Sequence, residues 1–248
     1  LEHNSHYRPL YVRIRRVSND KNQADSPNLQ RSCSALRFHG RVLDKTDPIF
    51  RGTISVMTKA IIELFEESIR VKQCFLRDNL ETLTQAIDAL VSAFQRGNKL
   101  LLFGNGGSAA DAQHIAAEFV NRFLIERPPL PAIAFTTDTS VLTSVANDYS
   151  YNEVFAKQVQ ALGKEGDVAV ALSTSGNSPN VIAAIDVCKR TNITTIGLTG
   201  GTGGQMVGKV DFLLNVSEGR NSARIQETHI LVGHVICDLV DQRLFPSQ

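Results

Sequence analysis

From Leu100 onward the apolar residues fall in short unbroken runs instead of alternating with polar ones. Leu100–Phe103, Ala132–Thr136 (AIAFT), Val168–Leu172 (VAVAL), Thr194–Leu198 (TTIGL) and Phe212–Val216 (FLLNV) are rich in branched side chains, and each is bounded by Gly, Pro, Asp or Ser/Thr. Helical periodicity occupies the intervals at Ser140–Ala146, Asn152–Leu162 and Pro179–Lys189, and a last helix is predicted at about Ser222–Leu244. A strand with no polar face cannot border water, so the pattern predicts an α/β fold: a five-stranded parallel sheet with helices on both faces. Upstream, Ile61, Leu64, Phe65, Ile69, Val71, Phe75 and Leu76 keep close to a 3.6-residue period. Leu80, Leu83, Ile87, Leu90, Val91 and Phe94 do the same and stop at Gly97, which predicts two amphipathic helices before the first strand. Any surplus apolar face on that pair needs another subunit to cover it.

The stretch Leu101–Phe123, LLFGNGGSAADAQHIAAEFVNRF, carries the densest candidate chemistry. It reads as a buried strand, a glycine turn and an Ala-rich helix. Glycines allow positive φ and bring backbone N–H groups close to an anion, which the free donors and dipole of the following helix also favour. His114 and Glu118 stand four residues apart, hence on one helix face above that turn, and offer proton transfer or metal ligation. Gly104-x-Gly106-x-x-Ala109 formally fits a dinucleotide fingerprint. Asp138 can be offered as the acid of that fingerprint, but it comes about 34 residues after the first glycine, where about 20 is usual, and no nucleotide cofactor is expected.

Ligands in such sheets bind outside the carboxyl ends of the strands. Ser173-Thr174-Ser175-Gly176-Asn177-Ser178 follows the third strand and precedes a helix beginning near Pro179. Its hydroxyls and backbone amides suit phosphate, whereas a plain N-cap at Ser178 would explain only one hydroxyl. Thr199-Gly200-Gly201-Thr202-Gly203-Gly204 needs no more than turn geometry. The last helix is apolar on most sides, so Gln226, His229 and His234 require partners. Gln226 and His234, two turns apart, can face one site, while His229 points elsewhere and reads as a packed core histidine.

The 248 residues, 42% of them hydrophobic, suffice for one sizeable domain plus extra helices. No apolar run approaches the length of a membrane span and no cleavable signal pattern occurs, so a soluble, intracellular protein is expected. Cys33, Cys74, Cys188 and Cys237 show no ligand spacing and read as reduced thiols. Of 26 basic and 25 acidic residues, ten and five precede Met57, which leaves 16 and 20 for the rest. That mildly acidic remainder, with no Trp, argues against a nucleic-acid surface. Residues 1–56 sustain no period, mix Pro, Arg, Ser and Asn, and are expected to be disordered. Because Met57 is the first methionine and a patterned helix follows it, we expect the natural protein to start there, with the domain at 57–248. A basic organelle-targeting segment is the alternative, weakened by Glu2, Asp20, Asp25, Asp44 and Asp47.

GNGGSAADAQHIAAEF, AFTTDTSVLTSVANDYSYNEVF, ALSTSGNSPNVIAAI, IGLTGGTGG and ARIQETHILVGHVICDLV resemble, in order and spacing, the phosphoheptose (sedoheptulose 7-phosphate) isomerases of the sugar isomerase, or SIS, fold. The likeness covers Thr58 to Leu244 and implies a flavodoxin-like three-layer sandwich. It implies substrate binding by Asn105, Gly106, Gly107, Ser108, Asn147, Asp148, Ser173, Thr174, Ser175, Ser178 and Gln226, with Glu118 and His234 as the catalytic pair. It implies zinc, one ion per site, on His114, Glu118, Gln226 and His234, and a homotetramer. The implied reaction turns D-sedoheptulose 7-phosphate into D-glycero-D-manno-heptose 7-phosphate, for the heptose of lipopolysaccharide core or a related glycan. ERPPLPAIAF and CDLVDQRLFPSQ resemble a second branch of the same fold too, the DnaA initiator-associating proteins, which are tetrameric and non-enzymatic. That branch lacks the carboxylate and histidine present here as Glu118 and His234, so the resemblance favours the enzyme.

Overall fold

A computed structural model describes residues 36–38, 41–43 and 48–246, with side chains from Ser55 onward. The expectation of disorder for residues 1–56 falls mostly outside the described residues. Those described within it form a two-stranded antiparallel ladder, β1 (Leu36–Phe38) with β2 (Arg41–Leu43), and the opening turns of a helix. The chain divides into two units, Leu1–Phe65 and Glu66–Gln248, and the parallel sheet lies in the second.

Helix α1 (Pro48–Gln95) starts upstream of Met57, with Pro48 at a first helical position where its missing N–H has no helical partner to lose. The two predicted amphipathic helices are one: both runs lie on α1. No Gly or Pro separates Leu76 from Leu80, and of the two turn formers between them Asp78 pairs with Arg77 while Asn79 is engaged elsewhere. Its amide donates to the carbonyls of Phe75 and Asn215, and its oxygen accepts from the Asn215 N–H, so it pins α1 to a strand instead of breaking it.

The second unit continues with β3 (Leu100–Gly104), α2 (Gly107–Val120), β4 (Ala132–Ala134), α3 (Thr139–Asp148), α4 (Val154–Leu162), β5 (Val168–Leu172), α5 (Pro179–Arg190), β6 (Thr194–Gly200), β7 (Phe212–Val216) and α6 (Ser222–Leu244). The five strands β3 to β7 are parallel, in the order β4-β3-β5-β6-β7. Alternate side chains of each strand enter different cores. Leu100, Leu102, Val168, Val170 and Leu172 pack with α1, α2 and α6, whereas Leu101, Phe103, Ala169 and Ala171 pack with α4 and α5. This is the three-layer α/β sandwich that the unbroken apolar runs require. From β3 the chain passes to β4 on one side, and from β4 it crosses back, through α3 and α4, to β5 on the other side of β3. The crevice between the carboxyl ends of β3 and β5 is therefore the sheet's switch point, where such folds bind ligands. No helix among the described residues is long and apolar enough to cross a membrane.

Candidate active site

Two loops flank that crevice, and each ends in a helix without a side-chain cap. Gly106, with φ 57°, stands at the N-cap of α2, where no side chain takes up the first amides. Ser178 occupies the N-cap of α5, yet its hydroxyl bonds the Ser173 hydroxyl at 3.0 Å and not the helix amides. At α2 no side chain takes up the first amides, the arrangement that binds anions, whereas α5 opens on Pro179, which has no N–H, and its Val181 N–H goes to Asn180 Oδ1 at 3.0 Å. The serine loop is shaped from within: the Asn177 N–H donates to Ser175 Oγ (3.2 Å), the Gly176 N–H to the Ser173 carbonyl (2.9 Å), and Asn177 Oδ1 accepts from the Gln205 N–H (3.0 Å). Gly176 has φ +65°, and a Cβ there would run into the Gly203 carbonyl, so the glycine-rich segment after β6 closes directly against the serine loop.

Sequence reasoning missed the partners that hold Asn105. Its carboxamide and that of Asn180, nearly fully buried on α5, exchange two hydrogen bonds of 2.9 Å, and the Tyr151 hydroxyl donates to Asn105 Oδ1 at 3.2 Å. No local signal connects positions 75 apart in the chain, so neither partner could be read from the spacing. Ser108 is buried behind the turn, its Cβ against Gly104. Gln226 lies with its carboxamide over Gly107, and Asn147 and Asp148 stand exposed at the end of α3, bonded to each other (2.9 Å).

A turn beyond the glycine cradle, α2 and α6 bring three groups together. His114 Nε2 lies 3.0 Å and His234 Nε2 3.7 Å from Glu118 Oε1, and the ligating atoms of all three fall within 4.8 Å of one another. The two imidazoles meet edge to face, and Phe123 stacks on His234. Glu118 Oε2 is buried without a hydrogen-bond partner. Close approach of the helices depends on Gly233, where a Cβ would collide with Ile115 of α2. Asp111, one turn before His114, was also missed; burial raises its carboxyl above the ordinary range, and the two imidazoles oppose that rise. The D-x-x-H spacing was the available signal.

His229 is the packed core histidine that the last helix predicts. It is fully buried, its Nε2–H donates to the Thr199 carbonyl at 3.0 Å, and burial lowers its pKa from 6.5 to about 4. The unfolded chain therefore binds a proton between these values that the folded chain refuses, so stability is full above pH 6.5 and falls as the pH drops toward 4. His229→Gln, which keeps a donor for Thr199, is expected to show a smaller drop in melting temperature across that window than the parent. Equal slopes in the two proteins would remove His229 as the cause.

Two uncapped helix starts at the switch point of a parallel sheet, with hydroxyls around them and a carboxylate between imidazoles beside them, define an SIS domain; the SIS-domain family model matches residues 63–200. The chain is 51% identical to the phosphoheptose isomerase of Nitratidesulfovibrio vulgaris (Hildenborough) over 189 residues, 76% of this chain and 90% of that one. Phosphoheptose isomerase GmhA of Neisseria gonorrhoeae superposes with a TM-score of 0.70 at 44% identity, covering 75% of this chain and 99% of that one. The phosphoheptose isomerase structure from Francisella tularensis gives a TM-score of 0.72 at 40% identity over 75% and 98%. The chain belongs to the phosphoheptose isomerase family.

Proposed function

We propose that this protein isomerises D-sedoheptulose 7-phosphate to D-glycero-D-manno-heptose 7-phosphate through an enediol, supplying heptose for bacterial lipopolysaccharide core or a related glycan. The observation that carries the reading is Glu118 held between two imidazoles beside a cradle suited to phosphate. The serine loop residues Ser173, Thr174, Ser175 and Ser178 are assigned to the phosphate, while Asn105, Gly106, Gly107, Ser108, Asn147, Asp148 and Gln226 are assigned to the sugar. Anchoring one end presents the other to α2 and α6 and removes much of the entropic part of the barrier. Glu118 takes the proton from C1 and returns it to C2. His234 donates a proton to the C2 oxygen as charge develops there and recovers one from the C1 hydroxyl, leaving the aldehyde. No electron leaves the substrate, so no nucleotide is needed.

The residues also fit zinc. Two imidazoles and a carboxylate converge within 4.8 Å, Glu118 keeps an unpartnered buried oxygen, and Gln226, on the same helix as His234, is assigned as fourth ligand. When bound, zinc would polarise the carbonyl or enediol oxygens. We expect about one zinc per site to co-purify, and His114→Ala to lower that content; equal zinc in mutant and parent would take His114 off the ligand set.

The assembly is assigned as a homotetramer in the cytoplasm, with neither nucleic acid nor membrane as a partner. Its support is the apolar surface of Ile69, Leu76 and Leu80 on α1 and of Leu231 and Leu239 on α6, left open to solvent in a single chain. The test is to incubate protein shown by light scattering to be tetrameric with sedoheptulose 7-phosphate and follow the product by NMR. An aldoheptose phosphate is expected, and an intact tetramer that makes none would overturn the reading in favour of a binding protein.

A further inference from the structure

A buried ion pair lies beneath the catalytic helices, in neither the cradle nor the carboxylate–imidazole cluster. The side chain of Arg127, in the segment between α2 and β4, is wholly buried, and Asp241 of α6 is almost so. Arg127 Nε donates to Asp241 Oδ1 at 2.8 Å. Its remaining N–H groups go to backbone: Nη2 to the Glu118 carbonyl at 2.9 Å, and Nη1 to the carbonyls of Phe119 at 2.7 Å, Pro128 at 3.2 Å and Asn121 at 3.4 Å. One guanidinium therefore grips the last turn of α2 at the residue bearing the proposed base. The same group is tied to α6 at a position seven residues, two turns, beyond His234 and on the same helix face.

We infer that the Arg127–Asp241 pair is a positioning device, fixing the carboxylate of Glu118 on α2 relative to the imidazole of His234 on α6. This rests on the roles given to Glu118 and His234 above. Stability alone is a poor reason for such a pair. Desolvating two charges costs about what their attraction returns, and apolar residues of similar volume often serve as well or better. What an apolar pair cannot supply is direction. The planar fork holds the carbonyls of Glu118 and Phe119 at set angles, and its remaining N–H fixes which turn of α6 faces them. Helix ends fray, and Glu118 lies in the last turn of α2, so without the guanidinium that turn keeps only its own hydrogen bonds and the Leu130 N–H on the Phe119 carbonyl (3.0 Å), and nothing on the Glu118 carbonyl ties it to α6. Arg127 also sits where a cation favours a helix C-terminus.

The test compares Arg127→Lys, Asp241→Asn and the double variant Arg127→Met/Asp241→Leu with the parent, each by melting temperature and by full kinetics on sedoheptulose 7-phosphate. The double variant replaces the pair by apolar groups but also takes donors from the carbonyls at the end of α2, so it is expected to melt below the parent while staying folded at the assay temperature. Its kcat should fall about 10- to 100-fold with KM changed by less than about threefold, because misplacing a reacting group by about 1 Å costs the chemical step and not the phosphate anchor. Arg127→Lys keeps a charge for Asp241 but not the fork on the carbonyls, and it too should lose kcat. A kcat within about threefold of the parent in the variants that are folded at the assay temperature, or a loss confined to KM, overturns the inference. So does a loss of turnover that only follows the folded fraction in all three, which makes the pair structural. A parent without turnover would instead remove the isomerase reading itself, whatever the variants do.

Discussion

Glu118→Gln and His234→Asn are each expected to lower kcat by roughly 10²-fold or more, the usual loss when a general acid or base is removed. The double mutant should be scarcely worse than the weaker single one, because groups that serve one transition state are not additive. Both substitutions keep volume and polarity, and both residues are partly open to solvent, so the fold should tolerate them. Binding of the sugar phosphate should largely survive, since the phosphate is assigned to a loop that neither residue touches. Ser175→Ala gives the converse: it removes a hydroxyl that accepts from the Asn177 N–H, loosening the loop, and should raise KM more than it lowers kcat. Near-parental kcat in Glu118→Gln together with abolished turnover in Ser175→Ala would show that the chemistry had been assigned to the wrong element.

The second large effect is structural in origin. Gly176→Ala places a methyl against the Gly203 carbonyl and 2.8 Å from Thr199 Oγ1, at a φ of +65° that disfavours any side chain. Neither obstacle is a flexible side-chain tip; one is backbone and the other is fully buried. The serine loop and the glycine-rich segment must part, which should cost about 3 kcal/mol or more and lower the melting temperature by roughly 6–12 °C. Sugar-phosphate affinity should fall by about tenfold or more, because the loop that moves carries the phosphate donors. Gly201→Ala is the control: it also has positive φ, +59°, but nothing lies within 4 Å of the added methyl. If the two variants behave alike, dihedral strain and not the contact between loops is the cause.

How much of this could be read from the residues depended on how far apart the causes lie. VAVAL and FLLNV were legible because each is short, rich in branched or large apolar residues and bounded by turn formers, and five such runs between helices point to one sheet architecture. The glycine turn and the His114–Glu118 spacing were legible for the same reason, each being a local geometry. Asn79 was not: by propensity it marks a break, and only the distant backbone of Asn215 converts it into a helical residue. Asn180 and Arg127 escaped likewise, since an amide that matters through Asn105 and a guanidinium that matters through Asp241 give no periodic sign. Ser178 looked like an N-cap and holds that position, but its hydroxyl is spent on Ser173.

The strand order β4-β3-β5-β6-β7 also sets how the domain can be made. Of the parallel sheet's strands β3 leaves the ribosome first; β4 then joins one edge, and β5, β6 and β7 follow in turn on the other. No strand ever has to wedge between two already paired, so the sheet can grow by simple addition during synthesis, each new arrival meeting an open edge. The glycine cradle is in place once β3 and α2 have docked, and the serine loop once the segment after β6 has closed against it. His234 arrives with α6, after every strand, so a nascent chain can hold the shape of a sugar-phosphate site well before it can move a proton.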